Sequence, residues 1–281
     1  MIVAGEKQTR HGRALELLES GISKILDSES FKAYLRVMSR FNQYSANNIM
    51  LIHAQCRHAT QVAGYKKWQM LGRQVKKGEK GIVIFVPIRR KVEDRDGNEI
   101  QIVKNFGTGM VFDISQTEGD DLPTVTLPIS NLTTTSEIGT HLANRLKTFL
   151  DQEQVGFVIE HTKPAHGYYA PGKKLIALDE DLTGDQFVKT LTHEVVHYVA
   201  DHRSLTSRED GETVAEGAAF VVLHHFGIDS SDYTFGYVAG WAQDKKVLNR
   251  NLSAIQKSAS AVIDAIERMT DEALAVGLGA S

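Results

Sequence analysis

Thr183-Gly184-Asp185-Gln186-Phe187-Val188-Lys189-Thr190-Leu191-Thr192-His193-Glu194-Val195-Val196-His197 is the stretch on which the reading of this 281-residue chain turns. Thr183 followed three residues later by Gln186 predicts a capping box at a helix start. Phe187, Leu191 and Val195 recur at helical spacing, so a helix over 184–202 is expected. Side chains four apart share one face of a helix, which sets His193 beside His197 with Glu194 next to them. Two imidazoles so placed can bind one Zn²⁺, and the glutamate then acts as general base toward water acidified there. A catalytic zinc site takes three protein ligands and keeps one position open, so a third ligand must come from elsewhere. Glu216 is the expected one: it lies 19 residues after His197 on a second predicted helix, 211–226, where Gly217-Ala218-Ala219 would let the two helices approach closely. Glu212, one turn earlier on the same face, is the alternative ligand or a partner of a ligating histidine. His202 falls on the opposite side of the first helix, and His224 and His225 read as helix-end residues.

Outward from this motif, the composition is that of a folded globular chain, 42% hydrophobic and 24% charged, and the length suits two domains or one large one. The longest apolar run, Ile82 to Ile88, is too short to span a bilayer. The first residues turn polar before a secretory h-region can form. Cys56 stands alone, so no intramolecular disulfide forms and a cytoplasmic location is expected.

Charge divides the chain. Residues 1–125 hold 19 Lys and Arg against 14 Asp and Glu, whereas 126–281 hold 13 against 21. From Phe31 to Lys91 there are 13 basic residues, and Glu79 is the only acid. Such a stripe predicts a polyanionic partner. Aromatic rings interleave with it: Phe31, Tyr34, Phe41, Tyr44, Tyr65, Trp68 and Phe85. Cations for phosphates and rings for unstacked bases are the mixture that holds single-stranded nucleic acid. Tyr65, Lys66, Lys67 and Trp68, with Lys76, Lys77 and Lys80 of the glycine-bearing loop Gly72 to Gly81, are the candidate contacts. No zinc-finger spacing, basic zipper or recognition-helix pair points to groove reading. Phe31, Phe41 and Phe85, among apolar neighbours, read as core.

Periodicity predicts helices around Leu15–Ile25 and Phe31–Met38, and a third opened by Ser45 and carrying Ile49, Ile52 and Cys56. Gly81 to Ile88, Glu99 to Lys104 and Phe106 to Ile114 read as strands of a small antiparallel meander. A Ser/Thr/Asp/Pro-rich segment, Gln116 to Thr135, places the domain boundary. Beyond it are expected a helix from Ile138 to Leu150, a strand from Gly156 to Glu160, a hairpin through Tyr168-Tyr169, Pro171-Gly172 and Leu175 to Leu178, and four helices over 184–202, 211–226, 232–247 and 252–270.

Ser45-Ala46-Asn47-Asn48-Ile49-Met50-Leu51-Ile52, Ala59-Thr60, Gly64, Trp68, Leu71-Gly72, Val75 with Lys77-Gly78-Glu79-Lys80-Gly81, and Phe112-Asp113-Ile114-Ser115-Gln116-Thr117 resemble the N-terminal single-stranded-DNA-binding domain of ArdC-type antirestriction proteins. Gly167-Tyr168-Tyr169, Leu175 to Leu178, Lys189 to Glu194, Ala215-Glu216 with Ala219-Phe220, and Gly236-Tyr237-Val238 with Trp241 resemble that family's zincin-like metallopeptidase domain. The resemblance spans nearly the whole chain, apart from the first forty residues. It implies an α+β protein of two domains, carried on mobile DNA: a helical domain with a small antiparallel sheet over 1–125 that binds single-stranded DNA, and a zinc metallopeptidase domain over 126–281. It implies metal on His193, His197 and Glu216, Glu194 as catalytic base, and protection of incoming DNA from restriction. No membrane partner is implied. Regulatory peptidases of the ImmA/IrrE type, which cleave a repressor or other protein, share the H-E-x-x-H and later glutamate and are the alternative.

Overall fold

The computed structural model describes residues 9–93, 98–122, 135–200, 207–228, 235 and 244–278. The chain is α+β. In chain order it runs α1 (Arg10–Ser23), α2 (Ser28–Arg40), α3 (Ala46–Gln55), β1 (Val62–Ala63), α4 (Tyr65–Met70), β2 (Arg73–Val75), β3 (Ile82–Glu93) and β4 (Glu99–Asp113). A 3-10 turn, Ile114–Gln116, leads to β5 (Thr117–Gly119). Then follow α5 (Thr135–Gln152), β6 (Gly156–Glu160), β7 (Gly167–Ala170), β8 (Leu175–Asp179), α6 (Gly184–Val199), α7 (Arg208–His225) and α8 (Lys245–Leu278). The helix expected over 232–247 falls mostly outside the described residues, as does His202. Among the described residues no helix is long and apolar enough to cross a membrane.

Two compact units form, one from the described residues of Met1–Ile25 and Ala46–Pro123, the other from those of Leu26–Ser45 and Thr124–Ser281. In the first unit α1 packs on α3, and α3 lies along β3. Asn48 and Gln55, two turns apart on α3, aim their amides at the free edge of that strand. Asn48 accepts from the Phe85 N–H at 2.8 Å and donates to the Phe85 carbonyl at 2.9 Å, and Gln55 does the same for Val83 at 3.1 and 2.9 Å. The amides satisfy edge groups that a further strand would otherwise pair. The expected meander is instead one long hairpin. The break anticipated near Asn105 is a bulge: Ile88 faces Asn105 while Arg89 faces Val103, leaving Lys104 as the extra residue. The start of the expected linker belongs to this unit too, because β5 pairs with β2.

In the second unit β8 lies between parallel β6 and antiparallel β7, which leaves β7 at an edge. Helices α5 and α6 pack together, with Phe157 of β6 edge-on to Phe187 of α6. Helix α7 is the core, with Val214, Ala215, Ala218, Ala219, Val221, Val222 and Leu223 all at zero exposure. Each large aliphatic chain so buried contributes about 1.5–3 kcal/mol. Gly217 serves contact with α8 rather than α6, because a Cβ there would lie 2.8 Å from Ile255 Cδ1.

Residues 26–45, expected with the first 125, pack in the second unit. Phe31, Tyr34, Leu35 and Met38 of α2 are fully buried, Phe31 edge-on to Phe235 at 5.1 Å, and Arg36 lies over the Phe220 ring. At the end of α7, His225 brings its Nδ1 within 2.8 Å of the Ser39 carbonyl and its Nε2 within 2.8 Å of Glu267. A carbonyl and a carboxylate only accept, so both contacts are hydrogen bonds when the imidazole carries two protons. Burial alone would lower the His225 pKa, but the Glu267 carboxylate and the Ser39 carbonyl outweigh it and leave it raised. A raised folded-state value contributes stability in full below the unfolded pKa of about 6.5, and loses it as the pH climbs through the folded value. His225→Gln is therefore expected to cost about 1–3 kcal/mol in urea unfolding at pH 6 and clearly less at pH 9. Equal cost at both would show that charge plays no part in this contact.

Candidate functional site

Helix α6 starts at Thr183, which stands at the N-cap position but makes no side-chain cap hydrogen bond, so the expected capping box does not form. Gln186 instead reaches along the helix to Thr190 at 3.4 Å. The helix is fixed by its apolar side, Val188, Leu191, Val195 and Val196, all buried. That packing turns His193 and His197 to the same side, with their Nε2 atoms 2.9 Å apart. Helix α7 supplies a carboxylate: Glu212 Oε2 lies 3.5 Å from His193 Nε2 and 3.3 Å from His197 Nε2. The ligand atoms of His193, His197 and Glu212 all lie within 4.8 Å of one another. Two ring nitrogens and a carboxylate oxygen converging in this way fit a divalent cation.

Glu216, expected as the third ligand, is not in this cluster. The contact of α7 with α6 aligns the first turns of α7 with the imidazoles, which favours Glu212, the alternative weighed above. Glu216 remains near enough to interact with His193 and Glu212, and burial raises its carboxyl pKa. For Glu212 the hydrogen bonds from His193 and His197 hold the carboxyl well below the ordinary range. His193 is penalised by burial, yet the Glu212 hydrogen bond and the charges of Glu194, Glu212 and Glu216 leave its pKa raised. Glu194 is 6% exposed. Burial raises its pKa against the pull of both imidazoles, and the Tyr169 backbone N–H on β7 is its hydrogen-bond donor.

Residues 13–113 match the model of the N-terminal domain of anti-restriction factor ArdC. The chain is similar to the crystal structures of antirestriction protein ArdC from plasmid R388. The metal-free form gives a TM-score of 0.51 at 20% identity over 82% of this chain and 86% of that one. The Mn(II)-bound form gives 0.55 at 18% identity over 91% and 97%. Residues 13–113 thus form an ArdC N-terminal-type domain, and the chain has the ArdC fold. An uncharacterized Bacillus anthracis protein, pXO2-81, is 25% identical over 84% of this chain, which spans 47% of that relative's length.

Within the ArdC-matched region, several motif residues serve the fold. Trp68 is 1% exposed and donates its indole N–H to the Phe112 carbonyl at 2.9 Å, so its ring is core and not offered to a base. Asp113 accepts from the Thr60, Gln61 and Ser115 N–H groups, while Gln116 accepts from the Asp113 N–H and closes a capping box. Arg73 holds Thr117, Gly119 and Asp120. Tyr65 is exposed, its hydroxyl bonded to Gln74. Lys76 is exposed and bonds the Ser115 carbonyl at 3.0 Å. Lys66, Lys67, Lys77 and Lys80 are exposed with no ion pair among the described residues. The Phe31 to Lys91 stripe is divided between the two units, its first part, to Ser45, belonging to the second.

Removing a converging donor is expected to weaken divalent-metal binding by about 10–100-fold or more. Metal titrated into the intact protein should bind weakly to His193→Ala, His197→Ala and Glu212→Ala, with Glu216→Ala much less affected. A larger loss in Glu216→Ala than in Glu212→Ala would restore Glu216 as the ligand.

Proposed function

We propose that this ArdC-type chain binds single-stranded DNA on its first unit and is a zinc-dependent peptidase on its second, within an antirestriction role that protects incoming mobile DNA. The observation that carries the peptidase reading is the convergence of His193, His197 and Glu212 with a buried carboxylate, Glu194, beside them. Two imidazoles and one carboxylate are a donor set of catalytic zinc sites. The similarity to an Mn(II)-bound ArdC supports binding of a divalent ion. When bound, such an ion supplies the Lewis acidity that polarises a carbonyl and acidifies water.

The chain's own groups would do the rest. His193 and His197 present neutral Nε2 lone pairs, and Glu212 balances the cation's charge. Glu194 takes a proton from water and returns it to the leaving amine; its raised pKa brings it closer to neutral pH, where such transfer is efficient. Strand β7 lies at the sheet edge and its Tyr169 N–H faces Glu194. A peptide extended along that edge would pass the carboxylate. DNA binding is supported by the family match over 13–113 and by the exposed Lys66, Lys67, Lys77 and Lys80, without ion pairs among the described residues, which a phosphate backbone would engage.

Glu194→Gln is expected to retain metal, to bind single-stranded DNA as wild type does, and to lose peptide hydrolysis by about 100-fold or more, as removal of a general base does. Wild-type affinity for a labelled oligothymidylate should fall steeply with salt, and charge reversal at Lys66, Lys67, Lys77 and Lys80 should flatten that dependence. Protection from restriction in vivo then separates the two activities. If protection covers the entering strand, it survives Glu194→Gln and is lost on charge reversal. Loss in Glu194→Gln alone would instead favour cleavage of a regulatory protein, as in ImmA/IrrE-type peptidases.

A further inference from the structure

The β3–β4 hairpin outruns its support. On the β3 side the amides of α3 reach only Val83 and Phe85, and on the β4 side β1 pairs only Phe112 and Asp113. From Pro87 to Lys91 and from Glu99 to Phe106 every residue is exposed. This two-stranded ribbon carries large apolar side chains into solvent, among them Val103 at 50% and Phe106 at 58% exposure. An isolated ribbon of this kind is marginal in water, and its apolar surface calls for a partner.

The register tells the two faces apart. Side chains alternate along each strand and directly paired residues share a face. One face therefore holds Pro87 with Phe106 and Arg89 with Val103; the other holds Ile88 with Asn105 and Arg90 with Ile102. Since Val83 and Phe85 turn their N–H and carbonyl groups outward to α3, Pro87, two further on, is also an outward position. Pro87 and Phe106 thus form a non-hydrogen-bonded pair, the kind in which side chains approach most closely. The proline also removes an edge donor, which disfavours addition of a peptide strand along β3. Arg89, on the face of the Phe106 ring, and Lys104, at the bulge, have no carboxylate partner among the described residues. Lys91 is paired with Glu99, and the acids Glu93 and Glu99 lie at the far end of the ribbon. An exposed ring beside unpaired cations, bounded by acids, complements a strand with free bases and a charged backbone.

We infer that the ribbon face bearing Phe106 and Arg89 is part of the single-stranded-DNA surface, Phe106 stacking on a base and Arg89 and Lys104 neutralising phosphates, a strand crossing the middle of the ribbon rather than its tip. The inference rests on the DNA-binding reading above and supplies the ring that Trp68, buried in the core, does not.

The test is fluorescence anisotropy of a labelled oligothymidylate with the full chain at several salt concentrations, each variant checked for wild-type circular dichroism. Phe106→Ala is expected to bind about ten-fold more weakly, and Phe106→Trp to restore affinity. Arg89→Ser/Lys104→Ser should reduce the salt slope by about 1.4, at roughly 0.7 per cation for a single strand. Ile100→Ser/Ile102→Ser, on the other face, should bind as wild type does. If Phe106→Ala and the double variant bind normally while charge reversal at Lys66, Lys67, Lys77 and Lys80 abolishes binding, the ribbon inference is wrong and the DNA-binding reading stands. If Ile100→Ser/Ile102→Ser loses as much affinity as Phe106→Ala, the assignment of faces is wrong. Absence of binding by the wild type would overturn both.

Discussion

Glu194 is a carboxylate buried beneath two imidazoles, and its hydrogen bond from the Tyr169 backbone N–H ties the edge of a sheet to the helix that carries the metal-ligand motif. A buried carboxylate without donors costs several kcal/mol or takes up a proton, so β7 and α6 have to dock for the site to exist with Glu194 as a base. Gly167 makes that approach feasible at the start of β7. A Cβ there would lie 2.7 Å from Leu178 Cδ2 and 3.1 Å from Thr190 Cγ2, contacts that would force strand and helix apart.

The other half of the site depends on where α7 stops sliding. Its first turn is capped by Ser207 and pinned by Asp210, which accepts from the fully buried Asn251 at 3.0 Å and from Arg250 at 3.3 Å, both on α8. Its last turn is held by His225 against Ser39 and Glu267. Polar contacts thus fix both ends of a helix whose middle is apolar. Four residues of helix rise about 6 Å, which is the difference between presenting Glu212 and presenting Glu216 to the imidazoles.

That distinction explains which parts of the site could be read from sequence. His193, Glu194 and His197 follow from helix geometry alone, a local rule that the structure respects. The choice between Glu212 and Glu216 is tertiary, because both occupy one face of one helix. Helix α2 shows the same limit: its spacing of Phe31, Leu35 and Met38 announces a buried face but not whose core receives it. Asn105 resembled a strand end because a bulge and a break look alike before pairing is known. For His225, a position at a helix end was legible, whereas its partners lie far away in the chain. A search for acceptors on other predicted helices would have offered many candidates of equal merit.

In the first unit the most distinctive residues are the ones the backbone consumes. An amide such as Asn48 must meet a particular N–H and carbonyl within about 3 Å, and the Trp68 indole must reach one carbonyl, so fold constraints give these positions a sharp signature. A cation facing a polyanion acts over a screening length of about 8–10 Å, and any of several surface positions would serve. Charged binding groups consequently leave a compositional trace, while motifs record how the chain is held together. The candidates for DNA contact in the proposed function then follow by subtraction: once Arg73, Lys76 and Lys91 are assigned to internal partners, the cations left exposed and without ion pairs among the described residues are the ones a strand would meet.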